Sequence, residues 1–217
     1  MDKIELPQFK PESDLKLSQI AKTLKYCREV SPSEIPLSKL SKVLYSIQGI
    51  SGGVFWIKAK TIPSAGATYP LNIYVEPYCK EVKDGLYEYS PTSGCKGWLR
   101  SKRERENSIS RIYIHAVFVR TTRRYGSRGE HYVLMEVGHA IQNALLEATL
   151  LDLGLSYSLN LDELSRPLKE GDEPLAILEL GSCVEKPSMK YDISSFENRA
   201  TRLKIPVLSE LRLEEAI

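Results

Sequence analysis

Residues 63–70 read Pro-Ser-Ala-Gly-Ala-Thr-Tyr-Pro, a run of mostly small side chains closed by a proline at each end. Small side chains let backbone N–H groups come close to a flat or anionic ligand, which makes this run the first candidate for a binding loop. Without context it is equally a tight connection between two elements. Other constellations lose their chemistry once context is considered. Gly49-Ile50-Ser51-Gly52-Gly53 has the Gly-x-Ser-x-Gly spacing of a nucleophile elbow, which needs a strand before the serine and a helix after it. Here a predicted helix comes first and a strand second, so the match reads as a glycine-rich helix terminus. His131 and His139 stand on one predicted helix, some 12 Å apart at about 1.5 Å rise per residue, too far to share a metal. His115 falls in a predicted central strand, where a satisfied polar histidine is the expectation. No metal site is assigned. Neither a Gly-x-Gly-x-x-Gly between strand and helix nor a Gly-x-x-x-x-Gly-Lys-Ser/Thr occurs, which disfavours a Rossmann-bound nucleotide and a P-loop ATPase.

The elements that must position the loop show as periodicity. Residues 14–24, after Ser13 as a plausible N-cap, predict a first helix through Leu15, Leu17, Ile20, Ala21 and Leu24. Leu37, Leu40, Val43, Leu44 and Ile47 recur in steps of three and four and mark a second helix, ended by Gly49 and the pair Gly52-Gly53. Stretches 54–59 and 71–75 are rich in β-branched and aromatic residues, and 86–89 follows the turn signal Lys83-Asp84-Gly85, so strands and a hairpin are predicted. Residues 111–119 are too continuously apolar for an exposed edge and predict a central strand. The longest periodic segment, 131–154, carries Val133, Leu134, Val137, Ala140, Ile141, Ala144, Leu145, Ala148 and Leu151 as one wide stripe. Gly138 within it costs about 1 kcal/mol relative to alanine, which predicts a close neighbour there. A last strand is predicted over 175–180. Helices grouped around an antiparallel or mixed sheet, without βαβ alternation, give an α+β class.

At 217 residues and 42% hydrophobic content, the chain is long enough for one domain with a substantial core. The net charge of +2 is nearly balanced and the charges interleave, so no basic face tracks a nucleic-acid backbone. Arg120, Arg123, Arg124 and Arg128 are the exception, open between a solvated turn and a role in a binding site. Cys27, Cys79, Cys95 and Cys183 are scattered with no Cys-x-x-Cys pair, which fits a reducing cytosol. No apolar run approaches the roughly 20 residues that span a bilayer. The expectation is a soluble, cytoplasmic protein.

Downstream of the loop come Arg124-Tyr125-Gly126, Arg128-Gly129, and a helix holding Glu136, Gly138-His139 and Gln142-Asn143. This order resembles the flavin-dependent nitroreductase superfamily and, within it, the SagB-type dehydrogenases, whose marks are Pro-Ser-Ala-Gly-Ala followed by Arg-Tyr-Gly, Gly-His and Gln-Asn. Lesser cues fall in the same order: Ile4-Glu5-Leu6-Pro7, Gln48-Gly49-Ile50-Ser51-Gly52, Gly85-Leu86-Tyr87-Glu88-Tyr89 and the stretch 176–181.

The resemblance implies a nitroreductase-like fold with its long central helix at a homodimer interface. Residues 1–217 would form a single domain whose tail, 187–217, packs on the partner subunit. It implies flavin mononucleotide (FMN) as cofactor and two-electron transfer to or from an unidentified small-molecule or peptide substrate, with NADH or NADPH as a candidate donor. Pro63, Ser64, Ala65, Gly66 and Ala67 would contact the flavin ring, in many members from the neighbouring subunit. Lys25 and Arg28 match the phosphate-binding segment imperfectly, with Cys27 in place of a serine, and Lys186 is the late basic residue. Gly154, Ser156, Tyr157 and Ser158 would form a turn whose backbone meets the flavin N5, and Gln142 and Asn143 serve the cofactor or the dimer. Some relatives use a Lys-Tyr pair at the position of Arg124-Tyr125. Arginine releases no proton near neutral pH, so Tyr125 is the acid/base candidate, against a structural role in a turn. The short charged connection from Trp98 to Ser110 predicts a more open substrate pocket than in many relatives. The alternatives are an FMN-binding or partner-binding scaffold that has lost redox turnover, and an α+β module without cofactor.

Overall fold

The computed structural model describes residues 3–10, 20, 23–24, 26–54, 57–103, 106–159 and 168–184. All fall within one compact unit, Met1–Lys186. The expected tail, 187–217, and most of the expected first helix lie outside the described residues, although Ile20 and Thr23 are helical.

The strands are β1 (Lys3–Glu5), β2 (Val30–Ser31), β3 (Ile50–Val54), β4 (Ile57–Lys60), β5 (Leu71–Glu76), β6 (Leu86–Thr92), β7 (Lys96–Arg103), β8 (Ser110–Ala116), β9 (Gly154–Ser158) and β10 (Glu173–Cys183). The helices are α1 (Leu37–Gln48), α2 (Val119–Tyr125) and α3 (Arg128–Leu150). The main sheet runs β1-β7-β6-β5-β8-β10-β2, with β9 also paired to β10, and β3-β4 form a separate hairpin. Every strand pairing is antiparallel. The apolar run of β8 is central because β5 and β10 flank it on both edges, and its Ile112, Ile114 and Ala116 are fully buried.

The predicted face of α1 is the buried one: Leu37, Leu40, Val43, Leu44 and Ile47 all enter the core. They meet α3 through Val133, Val137, Ala140, Ala144 and Ala148. Alanines at every fourth position let the two helices approach closely, and each fully buried Leu or Ile contributes about 1.5–3 kcal/mol. The fold is α+β with helices packed on an antiparallel sheet, as the sequence predicts.

Several local expectations are corrected. Gly52 and Gly53 pair within β3 instead of ending α1, which stops at Gly49. Trp98 to Arg103 is strand, not connection: alternation in β7 buries Leu99 while the charged residues face outward. β8 stops at Ala116, and Arg124-Tyr125 lie in a short helix instead of a turn. Leu134 is exposed, and nothing lies within 4 Å of where a Cβ on Gly138 would stand, so the close neighbour expected there is not part of this chain's described residues. Cys27 and Cys183 form a disulfide, whereas Cys79 and Cys95 are free. The disulfide departs from the reducing surroundings that the scattered cysteines suggested. No helix among the described residues is long and apolar enough to cross a membrane.

Candidate active site

The loop after β4 is bent by three left-handed residues, Gly66 (φ 59°), Ala67 (φ 54°) and Tyr69 (φ 43°). Glycine takes that conformation freely, whereas alanine and tyrosine each give up roughly 1–2 kcal/mol, so the surroundings must impose the shape. They do so with hydrogen bonds. The Tyr69 N–H donates to Ser64 Oγ at 2.9 Å, and the Thr68 hydroxyl bonds Ala65 O at 3.0 Å and Thr121 Oγ1 at 2.8 Å. Arg120 donates to Tyr69 O at 3.3 Å and to Asn72 Oδ1 at 3.1 Å. Strain held in this way marks a segment whose shape serves a purpose.

Gly66 is required by space as well as by φ. A Cβ there would stand 2.5 Å from the Tyr125 hydroxyl and 3.1 Å from Arg124 Nη1. The Arg-Tyr pair and the small-residue loop, far apart in sequence, therefore form one surface. The Arg124 guanidinium lies 5.6 Å from the Tyr125 ring centre, and Tyr132 meets that ring edge-on. Beside this surface opens a cleft of about 530 Å³ lined by Lys58, Lys60, Gly66, Ala67 and Tyr69 among others. All four arginines of the cluster are exposed; Arg120 bonds the loop and Arg124 lies beside Gly66.

Helix α3 supports the loop from below. Asn143 donates to Ser46 O at 3.1 Å and Thr61 O at 3.3 Å, tying the loop's entry to α1, while Gln142 is exposed. Two turns earlier on the same face, the Glu136 carboxyl is 2% exposed and hydrogen-bonded by Ser64. Burial pushes its pKa up to about 7, against the opposing pulls of that hydrogen bond and the Lys60 charge. Burial also lowers Lys60 to about 8, opposed by the Glu136 charge. The Lys60 ammonium lies 4.8 Å from the Tyr69 ring centre. Lys60 was not singled out by sequence reasoning, and Glu136 was noted in the motif order but given no role, although a carboxylate on the buried stripe of a predicted helix was a visible anomaly.

A buried polar knot supports β5 next to the loop. Asp172 accepts from Asn72 at 2.6 Å and, in a very short contact, from the Tyr74 hydroxyl, whose pKa burial and Asp172 raise. His115 packs edge-on against Tyr74, and burial lowers its pKa against the opposing pull of Asp172. Its buried Nδ1 has no hydrogen-bond partner among the described residues, where a satisfied histidine was expected.

The other predicted residues lie elsewhere. Residues 154–158 are strand β9, not a turn: Gly154 pairs with Gly181, and Ser158 with Ile177. Leu155 O accepts the Cys27 N–H at 2.9 Å, and Tyr157 packs 5.2 Å from Tyr26. Ser156 is buried and Gly154 has no room for a Cβ, which would stand 2.7 Å from Cys183 N. Arg28 is exposed beside this strand, while Lys25 and Lys186 lie outside the described residues. The disulfide joins this segment to the end of β10. Glu173, at the other end of β10, shares the level of Ala116 and Leu71, where the loop enters β5. Ten strand residues separate Glu173 from Cys183, about 30 Å at 3.3 Å per residue. The loop thus lies at the Glu173 end of β10 and the Arg28 segment at its Cys183 end.

A sequence profile of the nitroreductase family matches residues 25–170. A Methanocaldococcus jannaschii protein that provisionally bears the name nitroreductase is 35% identical over 84% of this chain and 97% of its own length. The chain belongs to the nitroreductase family. Members of this family are oxidoreductases that typically bind flavin. Solved structures agree on the fold. A provisionally named nitroreductase of Ralstonia eutropha superposes with a TM-score of 0.67 at 22% identity, covering 84% of this chain and 90% of that one. A chain of the Escherichia coli microcin synthetase McbBCD complex with truncated pro-MccB17 bound gives a TM-score of 0.58 at 18% identity, over 82% of this chain and 77% of that one.

Proposed function

We propose that this nitroreductase-family protein is an FMN-dependent oxidoreductase of the SagB-type dehydrogenase branch, acting as a cytoplasmic homodimer with NADH or NADPH as a candidate donor. The observation that carries the reading is the packing of the Arg124-Tyr125 pair on Gly66, which joins both sequence marks of that branch into one surface beside an open cleft. A flavin bound there supplies the two-electron chemistry. The exposed backbone of Gly66 and Ala67 fits a flat ring, which a Cβ on Gly66 would disturb. Tyr125 holds a transferable proton on its phenolic oxygen at that surface, and Arg124 keeps the phenol in place. Substrate enters from the cleft, with Lys58 and Lys60 on its wall.

The placement of the loop and the Arg28 segment at opposite ends of β10 supports the homodimer: a partner's Arg28 segment would complete the site over this chain's loop. Its interface would be the uncovered face of α3, where Leu134 and Met135 are 54% and 60% exposed beside the open Gly138. Lys25 and Lys186, adjacent in sequence to the disulfide-linked segments, would join Arg28 at the phosphate. The tail, 187–217, would pack on the partner subunit.

The test is the visible absorption spectrum of the purified protein, with identification of any released chromophore and the mass in solution. FMN at one per subunit of a dimer supports the reading. A colourless monomer that does not bind added FMN overturns it. A yellow dimer that neither NADH nor NADPH reduces, and that turns over no quinone or nitroaromatic, would be the non-catalytic scaffold instead.

A further inference from the structure

Glu136 is placed where a structural residue has no reason to be a carboxylate. It stands on the buried stripe of α3, between Val133 and Val137, and its Oε1 is buried with no hydrogen-bond partner among the described residues. Its contact with the outside runs through Ser64, whose hydroxyl accepts the Tyr69 N–H and donates to the Glu136 carboxyl. The charged groups facing it are few. Lys60 approaches from β4 with Arg120 of α2 behind it, while on α3 itself His139 is exposed and Tyr132 packs on Tyr125.

We propose that Glu136 and Lys60 form a proton-holding pair beneath the 63–67 loop, and that Glu136 is a positioning residue which makes flavin affinity depend on pH by compensating the charge on Lys60. With the carboxyl neutral, the Lys60 charge is uncompensated under the loop and attracts the electron-rich ligand above it. When Glu136 ionises, its proton passes to solvent, the pair becomes neutral and that attraction is lost. The pKa values near neutrality, set by burial, agree with this assignment. The proposal rests on FMN as the ligand, but its first test does not.

Difference infrared spectra of the FMN-free protein between about pH 5 and about pH 9 should show a protonated-carboxyl band that fades near neutrality, is missing in Glu136→Gln, and persists to higher pH in Lys60→Met. FMN titrations of wild type and Glu136→Gln then cancel the ligand's own titration. The two should bind alike at about pH 6, whereas wild type should bind about fivefold more weakly at about pH 8.5. Lys60→Met, which has no charge under the loop at either pH, should bind FMN about as weakly at about pH 6 as wild type does at about pH 8.5. A carboxyl already ionised at about pH 5, or an affinity ratio flat across the range, would overturn the proposal. Failure of both proteins to bind FMN at any pH would sink the flavin reading and with it the role in affinity, while the infrared result would still decide whether the pair holds the proton.

Discussion

The two ends of β10 are built by opposite means. At the Glu173 end, the loop is held in a strained shape by neutral and charged hydrogen bonds from Ser64, Arg120, Asn143 and Thr121. At the Cys183 end, the segment carrying Arg28 is held by a covalent bond and by pairing of Tyr26 and Cys27 with β9. A network of weak bonds can be tuned by protons and by the ligand; a disulfide is tuned by reductant. A dimer that assembles each site from one end of each kind would answer to both signals.

Breaking the covalent end should have the largest effect. The bond closes a sequence separation of 156 residues, and on chain-entropy grounds its removal costs about 5 kcal/mol. Cys27→Ser should therefore lower the melting temperature strongly, as should a thiol reductant on wild type. Thiol titration of the unfolded protein should find only Cys79 and Cys95 reactive until a reductant is added. Equal thiol counts with and without reductant would remove the covalent lock from the comparison.

That bond was not legible in the sequence, because cysteines far apart in the chain reveal no pairing until the strands bring them together. The elements were more legible, and for a physical reason: the face of α1 and the run of β8 are buried against single layers, so their apolar period is unmixed. Where a segment faces two environments, the period misleads. Leu134 continues the stripe of α3 yet faces out, and the alternation of β7 was masked by its charges. At the candidate site, the loop and the Arg-Tyr pair were readable as motifs, but not their contact. Lys60 and Asp172 were invisible, because their roles come from burial and from neighbours distant in sequence.

At the loop end, Tyr125→Phe sharpens the contrast between binding and turnover. Losing a positioned proton donor costs about 100-fold in rate, while the ring still packs on Tyr132 and Arg124 still flanks Gly66, so FMN stoichiometry should be unchanged. An unaltered turnover would make Tyr125 a packing residue. Gly66→Ala acts the other way. The added Cβ meets the Tyr125 hydroxyl at 2.5 Å in a left-handed conformation, so stability should fall by about 1 kcal/mol and FMN affinity about tenfold.

The smallest effect, and the one most particular to the loop end, is the dependence of stability on pH. The folded state raises Glu136 to about 7 from its ordinary 4.5, so between these values it holds a proton that the unfolded chain releases, and stability falls as pH rises through this window. It lowers Lys60 to about 8 from 10.5, so above about 8 the unfolded chain holds the extra proton and stability recovers. Together the two groups place a minimum between about pH 7 and 8, with a change of order 1–2 kcal/mol on the acid side after allowing for relaxation around the pair. Denaturant titrations across pH should show this trough in wild type and lose its acid wall in Glu136→Gln. The Cys27→Ser protein should keep the trough at a lower overall stability, since the disulfide and the buried pair stand at opposite ends of β10 and act independently.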